Sequence, residues 1–404
     1  IVRPTTRVCH ASTFFDVAEE THAKPIPEEG FERGPRWVIF PKRAYEGHGE
    51  INERLRAIAV DYSTNPVLSA FNPVDERRVA GQLTRHGIVA GGVSPAYALQ
   101  APRLLEERAN ERGVQPPASR FCQVGTPFPF PERTCAEFTK GLADVLVLEE
   151  LDHVLEDELL AFAGRTHAEY NTHGKLTGEA RDRGENDVDD ILARLAVYLG
   201  VSELAEAEDA ATYDNADPEQ PLPVRPPVLC PGCPHRATFF AIKKLGLTVF
   251  GDIGCYTLGA LPPFRAIDSC IDMGASITMA KGASDAGVFP AISVIGDSTF
   301  THSGMTGLLD CVNENTNITI VISDNETTAM TGGQDSAGTG RLESICAGIG
   351  VDPAHIRVMV PLKKNFEEMK SIIREEIEYK GVSVLIPRRE CIQTLTRKKK
   401  ASKK

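Results

Sequence analysis

Two unbroken apolar runs, AISVI at 291–295 and ITIVIS at 318–323, flank a helical spacing of apolar positions over 305–312. Runs of this length and composition fit strands buried on both faces, as in a parallel sheet. Each run ends in oxygen-bearing side chains: Gly296-Asp297-Ser298 after the first, Asp324-Asn325-Glu326 after the second. Ligands of open parallel sheets bind at the carboxyl ends of the strands. Asp297 and Asn325 are therefore expected to converge on one hard cation. Mg²⁺ takes such oxygen ligands and keeps positions for phosphate. Gly296 lets phosphate approach the backbone, and the next helix N-terminus offers N–H groups.

Strand and helix patterns continue on both sides of this stretch. GIVAGGV reads as a strand, Ser94 as the N-cap of a helix over 96–108, 120–124 as a second strand, 135–142 as a helix and DVLVLEE as a third strand. Strands alternating with helices predict a small parallel sheet. Glu149, Glu150 and Asp152 read as its solvated acidic rim, and HGKLTGEARDRGEN as a surface loop or subunit contact. Residues 205–227 turn acidic and then proline-rich, the composition of a linker. Beyond it come a helix over 237–245, the short strand TVFGDIG, a Gly-rich turn into a helix, helices over 342–348 and 366–379, and a last strand, GVSVLIP. The expected fold class is α/β, a parallel-sheet domain preceded by a smaller α/β domain. The expected segments are 1–80, the tail of an upstream domain plus connector, with a short strand at 37–40 and a helix over 50–60; 81–204, the small domain; 205–227, the linker; 228–396, the second domain; and 397–404, a basic tail.

Composition narrows the classes. Of 404 residues, 42% are hydrophobic and 25% charged, values of a globular chain with no run long enough for a membrane span. A net charge of -12 argues against general nucleic-acid binding. Ten cysteines without a secretory signal point to a reducing compartment, so a cytoplasmic location is expected. Cys230 and Cys233 form a C-x-x-C pair that alone fits zinc, redox thiols or an iron–sulfur ligand pair. Cys255 and Cys391 lie where predicted strands end. The other six, Cys9, Cys122, Cys135, Cys270, Cys311 and Cys346, read as ordinary buried thiols.

Together these motifs carry a family resemblance. Gly-Asp-Ser, some thirty residues, then Asn resembles the thiamine diphosphate signature, and DNETTAMTGGQ is similar to its 2-oxoacid:ferredoxin oxidoreductase version. CPGCPHR, GDIGCYTLG, DMGASI, GDSTFTHSG and DNETTAMTGGQ stand in the order seen in alpha subunits of the indolepyruvate:ferredoxin oxidoreductases. GIVAGGVSPAYAL, VGTPFPFPE and VLVLEELD resemble the middle region of those subunits, a transketolase C-terminal-like domain. The resemblance implies that 228–396 binds thiamine diphosphate. Mg²⁺ would be held by the side chains of Asp297 and Asn325 and the carbonyl of Thr327, with Gly296, Ser298 and His235 also at the cofactor. It implies a [4Fe–4S] cluster on Cys230, Cys233, Cys255 and Cys391, and a catalytic part for His302. Four cysteines beside a cofactor that generates a carbanion suggest electron removal.

The implied reaction is oxidative decarboxylation of aryl 2-oxo acids to acyl-CoA and CO₂, with electrons passing to ferredoxin. The implied partners are a beta (gamma-type) subunit, ferredoxin, coenzyme A and the aryl 2-oxo acid, without nucleic acid or membrane. Two departures stand out. The pyrimidine-binding domain with its activating glutamate would precede Ile1, and no C-x-x-C-x-x-C ferredoxin module follows. The chain is expected to be a fragment or to work with partner chains, and its lysine-rich tail to be a solvated end or a ferredoxin dock. The rivals are a non-oxidative thiamine diphosphate enzyme, which needs no cysteine set, and a cofactor-binding subunit without turnover.

Overall fold

Residues 8–9, 11–14, 16–17, 28, 30–31, 33–81, 83–205 and 226–402 are described by the structure, a computed structural model. The chain divides into two units, Ile1–Pro218 and Glu219–Lys404, each built round its own sheet. The linker expected at 205–227 falls largely on 206–225, outside the described residues.

The first unit opens with a long helix, α1 (Pro41–Thr64), which contains the helix expected over 50–60. No strand forms at 37–40. Pro35 starts a single 3₁₀ turn there and Pro41 starts α1, so two proline-led helical starts leave no room for one. Then follow β1 (Val74–Arg77), β2 (His86–Gly91), α2 (Ser94–Glu111), β3 (Ser119–Val124), α3 (Glu132–Thr139), β4 (Asp144–Leu148), α4 (Val154–Thr166), β5 (Asn171–His173) and α5 (Val188–Tyr198). The sheet order is β1-β3-β2-β4-β5, parallel except for β1 at one edge. Period-two alternation splits the strands between two cores. Ile88, Ala90, Leu146 and Leu148 meet α2 and α5 through Leu105, Ile191 and Leu195. Val89, Val145 and Val147 meet α3 and α4 through Phe138, Leu155 and Leu159.

Two polar readings in this unit change. Ser94 is the first helical residue of α2 rather than its cap, and its buried hydroxyl accepts from Asn186 Nδ2 at 2.9 Å. Glu149 is no solvated rim. Its buried carboxylate accepts from Leu155 N at 2.9 Å and Glu156 N at 3.1 Å, closing the N-terminus of α4. The polar interruption is held down rather than floating free. Buried Glu156 accepts from Lys175 N at 2.8 Å and Leu176 N at 3.2 Å, and Lys175 Nζ donates to the Glu149 carbonyl at 2.6 Å.

The second unit runs α6 (His235–Leu245), β6 (Val249–Gly251), β7 (Ser269–Cys270), α7 (Ala275–Asp285), β8 (Ala291–Gly296), α8 (Met305–Asn313), β9 (Ile318–Ser323), the short pair β10 (Thr327–Thr328) and β11 (Gln334–Asp335), α9 (Leu342–Ile349), β12 (Ile356–Met359), α10 (Phe366–Glu378), β13 (Val382–Pro387) and α11 (Ile392–Ala401). Its six-stranded sheet is parallel throughout, in the order β12-β13-β9-β8-β6-β7. Ile318, Ile320 and Ile322 of β9 face α7, α8 and α9, while Val321 faces the layer of α6 and α10. The α/β class expected from the sequence is the class observed.

Connections from neighbouring strands leave on opposite faces. After β6 the chain crosses the α6 layer through Tyr256 and Phe264. After β8 it crosses the other layer through Leu308 and Cys311. Parallel strands whose connections diverge in this way open a crevice at their carboxyl ends.

The tail also differs from expectation. Residues 397–401 complete α11 rather than trailing as a free end. Arg397 donates from Nη1 to the Gly332 carbonyl at 2.6 Å, so the tail's first residue clamps the Thr-Gly-Gly-Gln turn.

Replacing Glu156 by Ala would leave two amides of the 174–176 turn without acceptors. We expect a loss of about 2–3 kcal/mol, read as faster hydrogen exchange at residues 174–180 with the second unit unchanged.

Candidate functional site at the strand ends

The crevice is lined by the ends of β6, β8 and β9. It encloses about 210 Å³, and its walls include His235, Cys255, Tyr256, Gly296, Asp297, Asn325 and Thr327. Ser298 also lines it, and its hydroxyl accepts from Thr328 Oγ1 at 2.9 Å. Asp297, Asn325 and Thr327 are all buried. Gly296 cannot be replaced by a larger residue without disturbance, because a Cβ there would meet the Tyr256 ring at 2.5 Å.

Asp297 is the most demanding residue of the site. Its Oδ2 is buried without a hydrogen-bond partner. Burial, with the charge of Asp324 next, pushes its carboxyl up to about 7, and the Ser336 hydroxyl pulls it back only in part. Such a group is stabilised by a cation placed against it. Asn325 is held in a fixed pose. Its Oδ1 accepts from Thr327 N at 3.2 Å, and its Nδ2 donates to His235 Nε2 at 3.2 Å. Burial lowers His235 to about 4, so its imidazole is neutral and can accept that bond. His235 thus orients a candidate metal ligand through Asn325. Thr327 Oγ1 donates to the Gln334 carbonyl at 2.8 Å, which ties β10 to β11. The turn between them needs Gly332 and Gly333, with φ of 121° and 85°. A buried unpartnered carboxylate oxygen, an oriented amide and a close-approach glycine fit a Mg²⁺-bound diphosphate.

The thiols gather beside this oxygen set. Burial raises the Cys233 thiol to about 11, with further contributions from Cys255, Cys230 and Cys391. Cys255 is raised by burial first and then by Cys391 and Cys230. Cys233 thus feels the other three thiols, and Cys255 feels Cys391 and Cys230. Among the described residues, no three His, Cys, Asp or Glu side chains stand in metal-binding geometry. Four sulfur donors in one neighbourhood nonetheless match the donor chemistry of an iron–sulfur cluster. Cys391 N donates to the Asn325 carbonyl at 3.1 Å, so one hydrogen bond links the sulfur set to the oxygen set. Gln393 Nε2 lies 3.5 Å from Cys230 Sγ.

His302 is not brought to this crevice. It sits on a π-helical turn, Phe300–Gly304, with its side chain exposed and outside the lining. Of the cysteines read as ordinary, Cys122, Cys135, Cys311 and Cys346 are buried, Cys270 is half-buried, and Cys9 is exposed.

Sequence reasoning missed Asp252. This fully buried carboxylate takes the Tyr256 hydroxyl on Oδ1. Its Oδ2 takes Ser276 Oγ at 2.9 Å and Gly274 N at 3.1 Å. It pins the turn carrying Cys255 to the start of α7. The signal was available, since Gly251-Asp252 after β6 repeats the Gly296-Asp297 pattern after β8.

Residues 252–386 match the family described as "Thiamine pyrophosphate enzyme, C-terminal TPP binding domain", so the crevice belongs to a thiamine pyrophosphate-binding domain. Nearly the whole chain is also similar to the indolepyruvate oxidoreductase subunit IorA. The likeness to that of Methanothermobacter thermautotrophicus is 32% identity over 414 residues, covering 97% of this chain and 62% of the relative. The likeness to that of Thermococcus kodakarensis is 32% over 424 residues, again covering 97% and 62%. The chain spans about three-fifths of the length of these relatives. A solved 2-oxoglutarate:ferredoxin oxidoreductase of Magnetococcus marinus aligns with 42% of this chain and 66% of its own, at 19% identity and a TM-score of 0.34.

Asp297→Asn keeps shape and removes charge. We expect Mg²⁺-dependent thiamine diphosphate binding, followed by calorimetry, to weaken at least tenfold, about 1.4 kcal/mol. The Tm of the metal-free chain should stay level or rise, because a costly buried carboxylate is gone. Unchanged cofactor affinity would remove Asp297 from the metal set.

Proposed function

We propose that this chain is the cofactor-binding part of a 2-oxoacid:ferredoxin oxidoreductase acting on aryl 2-oxo acids of the indolepyruvate type. The observation that carries the reading is the junction at Asn325, whose side chain belongs to the oxygen set and whose carbonyl holds Cys391 of the sulfur set. Binding and redox donors thus share one sheet edge. The overall reaction is 2-oxo acid plus coenzyme A giving acyl-CoA, CO₂, one proton and two electrons, the electrons reducing two ferredoxin equivalents. When bound, thiamine diphosphate supplies the electron sink for decarboxylation and an iron–sulfur cluster the one-electron acceptor.

The residues divide the remaining work. Asp297 and Asn325, with the Thr327 carbonyl, hold Mg²⁺ and so fix the diphosphate. Gly296 leaves room for it against Tyr256. His235 keeps the Asn325 amide in one orientation. Cys230, Cys233, Cys255 and Cys391 are the cluster ligands. The crevice mouth is apolar, with Ile253, Met273 and Met330 exposed on its rim, and this suits an aryl side chain. The IorA relatives' name supports the same substrate class. The beta subunit, coenzyme A and ferredoxin are the partners of this reading. Among the described residues no helix is long and apolar enough to cross a membrane.

The test is anaerobic, coenzyme A-dependent reduction of benzyl viologen by the chain with its partner subunit. Indolepyruvate and phenylpyruvate should be used at least tenfold better than pyruvate, by kcat/KM. Aldehyde release without viologen reduction would favour non-oxidative chemistry and overturn the reading.

A further inference from the structure

A second concavity of the same unit borders the Cys230–Cys233 turn. It measures about 700 Å³ and is bounded by Gly232 and Cys233, by α6 and by the 361–367 segment that leads into α10. Five of its lining residues are cations: Arg236, Lys244, Lys363, Lys364 and Arg389. Its single acid, Glu367, is neutralised by Lys370 at 2.8 Å. Lys244, Lys363 and Lys364 are exposed, and among the described residues none of the three is ion-paired. Phe240 and Phe366 offer apolar surface between the charges. This basic field stands out on a chain whose net charge is -12.

The groove is not built like a small-anion pocket. No buried side-chain polar atom lacking a partner belongs to a lining residue. Arg236 is already engaged, donating to the Leu229 carbonyl at 2.9 Å and lying 5.1 Å over the Phe264 ring. What remains is a set of exposed cations around an apolar patch. Such a surface steers and orients an oppositely charged protein in a salt-sensitive way. Its floor is the turn that carries Cys233, one of the four gathered thiols.

We infer that this groove, and not the lysine-rich end of α11, docks an acidic one-electron iron–sulfur carrier protein against the Cys230–Cys233 turn. The inference rests on the oxidoreductase reading above and names where its electron acceptor binds.

The test measures equilibrium binding of an acidic two-[4Fe–4S] ferredoxin to the anaerobically purified chain with its partner subunit, at several salt concentrations. Three forms are compared: wild type, Lys244→Glu/Lys363→Glu/Lys364→Glu, and the tail variant Lys399→Glu/Lys400→Glu. Wild-type affinity should fall steeply with salt. The groove variant should bind at least tenfold more weakly, and the tail variant should match wild type. Viologen reduction, which needs no docking, should stay at the wild-type rate in both. Undiminished binding by the folded groove variant, salt-insensitive binding, or no wild-type binding would overturn the inference. So would coenzyme A binding lost in the groove variant, which would make the groove a small-anion site. Failure of the oxidoreductase reading would look different, since wild-type viologen reduction would then be absent whatever the ferredoxin affinity.

Discussion

A carboxylate with nowhere to put one of its oxygens governs the second unit. Asp297 follows β8, buried in the crevice, next to Asp324, which follows β9. Two acids this close, both out of water, repel and cost several kcal/mol unless a cation meets them. The structure meets one of them internally. Arg388 donates to Asp324 at 2.5 Å and is itself gripped by Glu343 at 2.8 and 2.7 Å. Asp297 has no such partner on its Oδ2. The asymmetry separates an acid with an internal cation from one without, at the ends of adjacent strands.

The surroundings shape the crevice at Asp297. The all-parallel sheet puts three strand ends on one edge, and the divergent connections of β6 and β8 open it. Tyr256 packs where a Gly296 side chain would have stood. Asp252 fixes Tyr256 and, through the same turn, Cys255. β13 then returns beside β9, and Arg388 and Cys391, just beyond it, reach the same edge. Arg388 quiets Asp324, and Cys391 hangs from the Asn325 carbonyl. One strand pairing therefore sets both the charge balance of the oxygen set and the position of a sulfur donor.

Much of this was legible in the chain. Continuous apolar runs marked β8 and β9, because strands buried on both faces cannot alternate. Gly-Asp-Ser and Asp-Asn-Glu marked their carboxyl ends, where the crevice opens. The C-x-x-C pair was visible as a local motif, and Cys255 and Cys391 as strand-end residues. Long-range partnerships were not legible. Nothing local says that His235, at the start of α6, holds the Asn325 amide, or that Glu149 closes α4 instead of facing water. His302 carried a functional expectation because it sits inside a motif, yet a π-helical turn carries its side chain outward. Arg397 was counted into a solvated tail because a run of cations looks alike whether or not its first member clamps a glycine turn.

We propose that the oxygen and sulfur donor sets on this sheet edge hold two different groups at once. The most direct measurement is the EPR spectrum of the anaerobically purified, dithionite-reduced chain, with thiamine diphosphate and iron assayed on the same sample. If both groups are held, a reduced [4Fe–4S] signal appears and is lost in Cys255→Ser while thiamine diphosphate stays bound. A folded chain that binds thiamine diphosphate but carries zinc, or no metal at its cysteines, would contradict it.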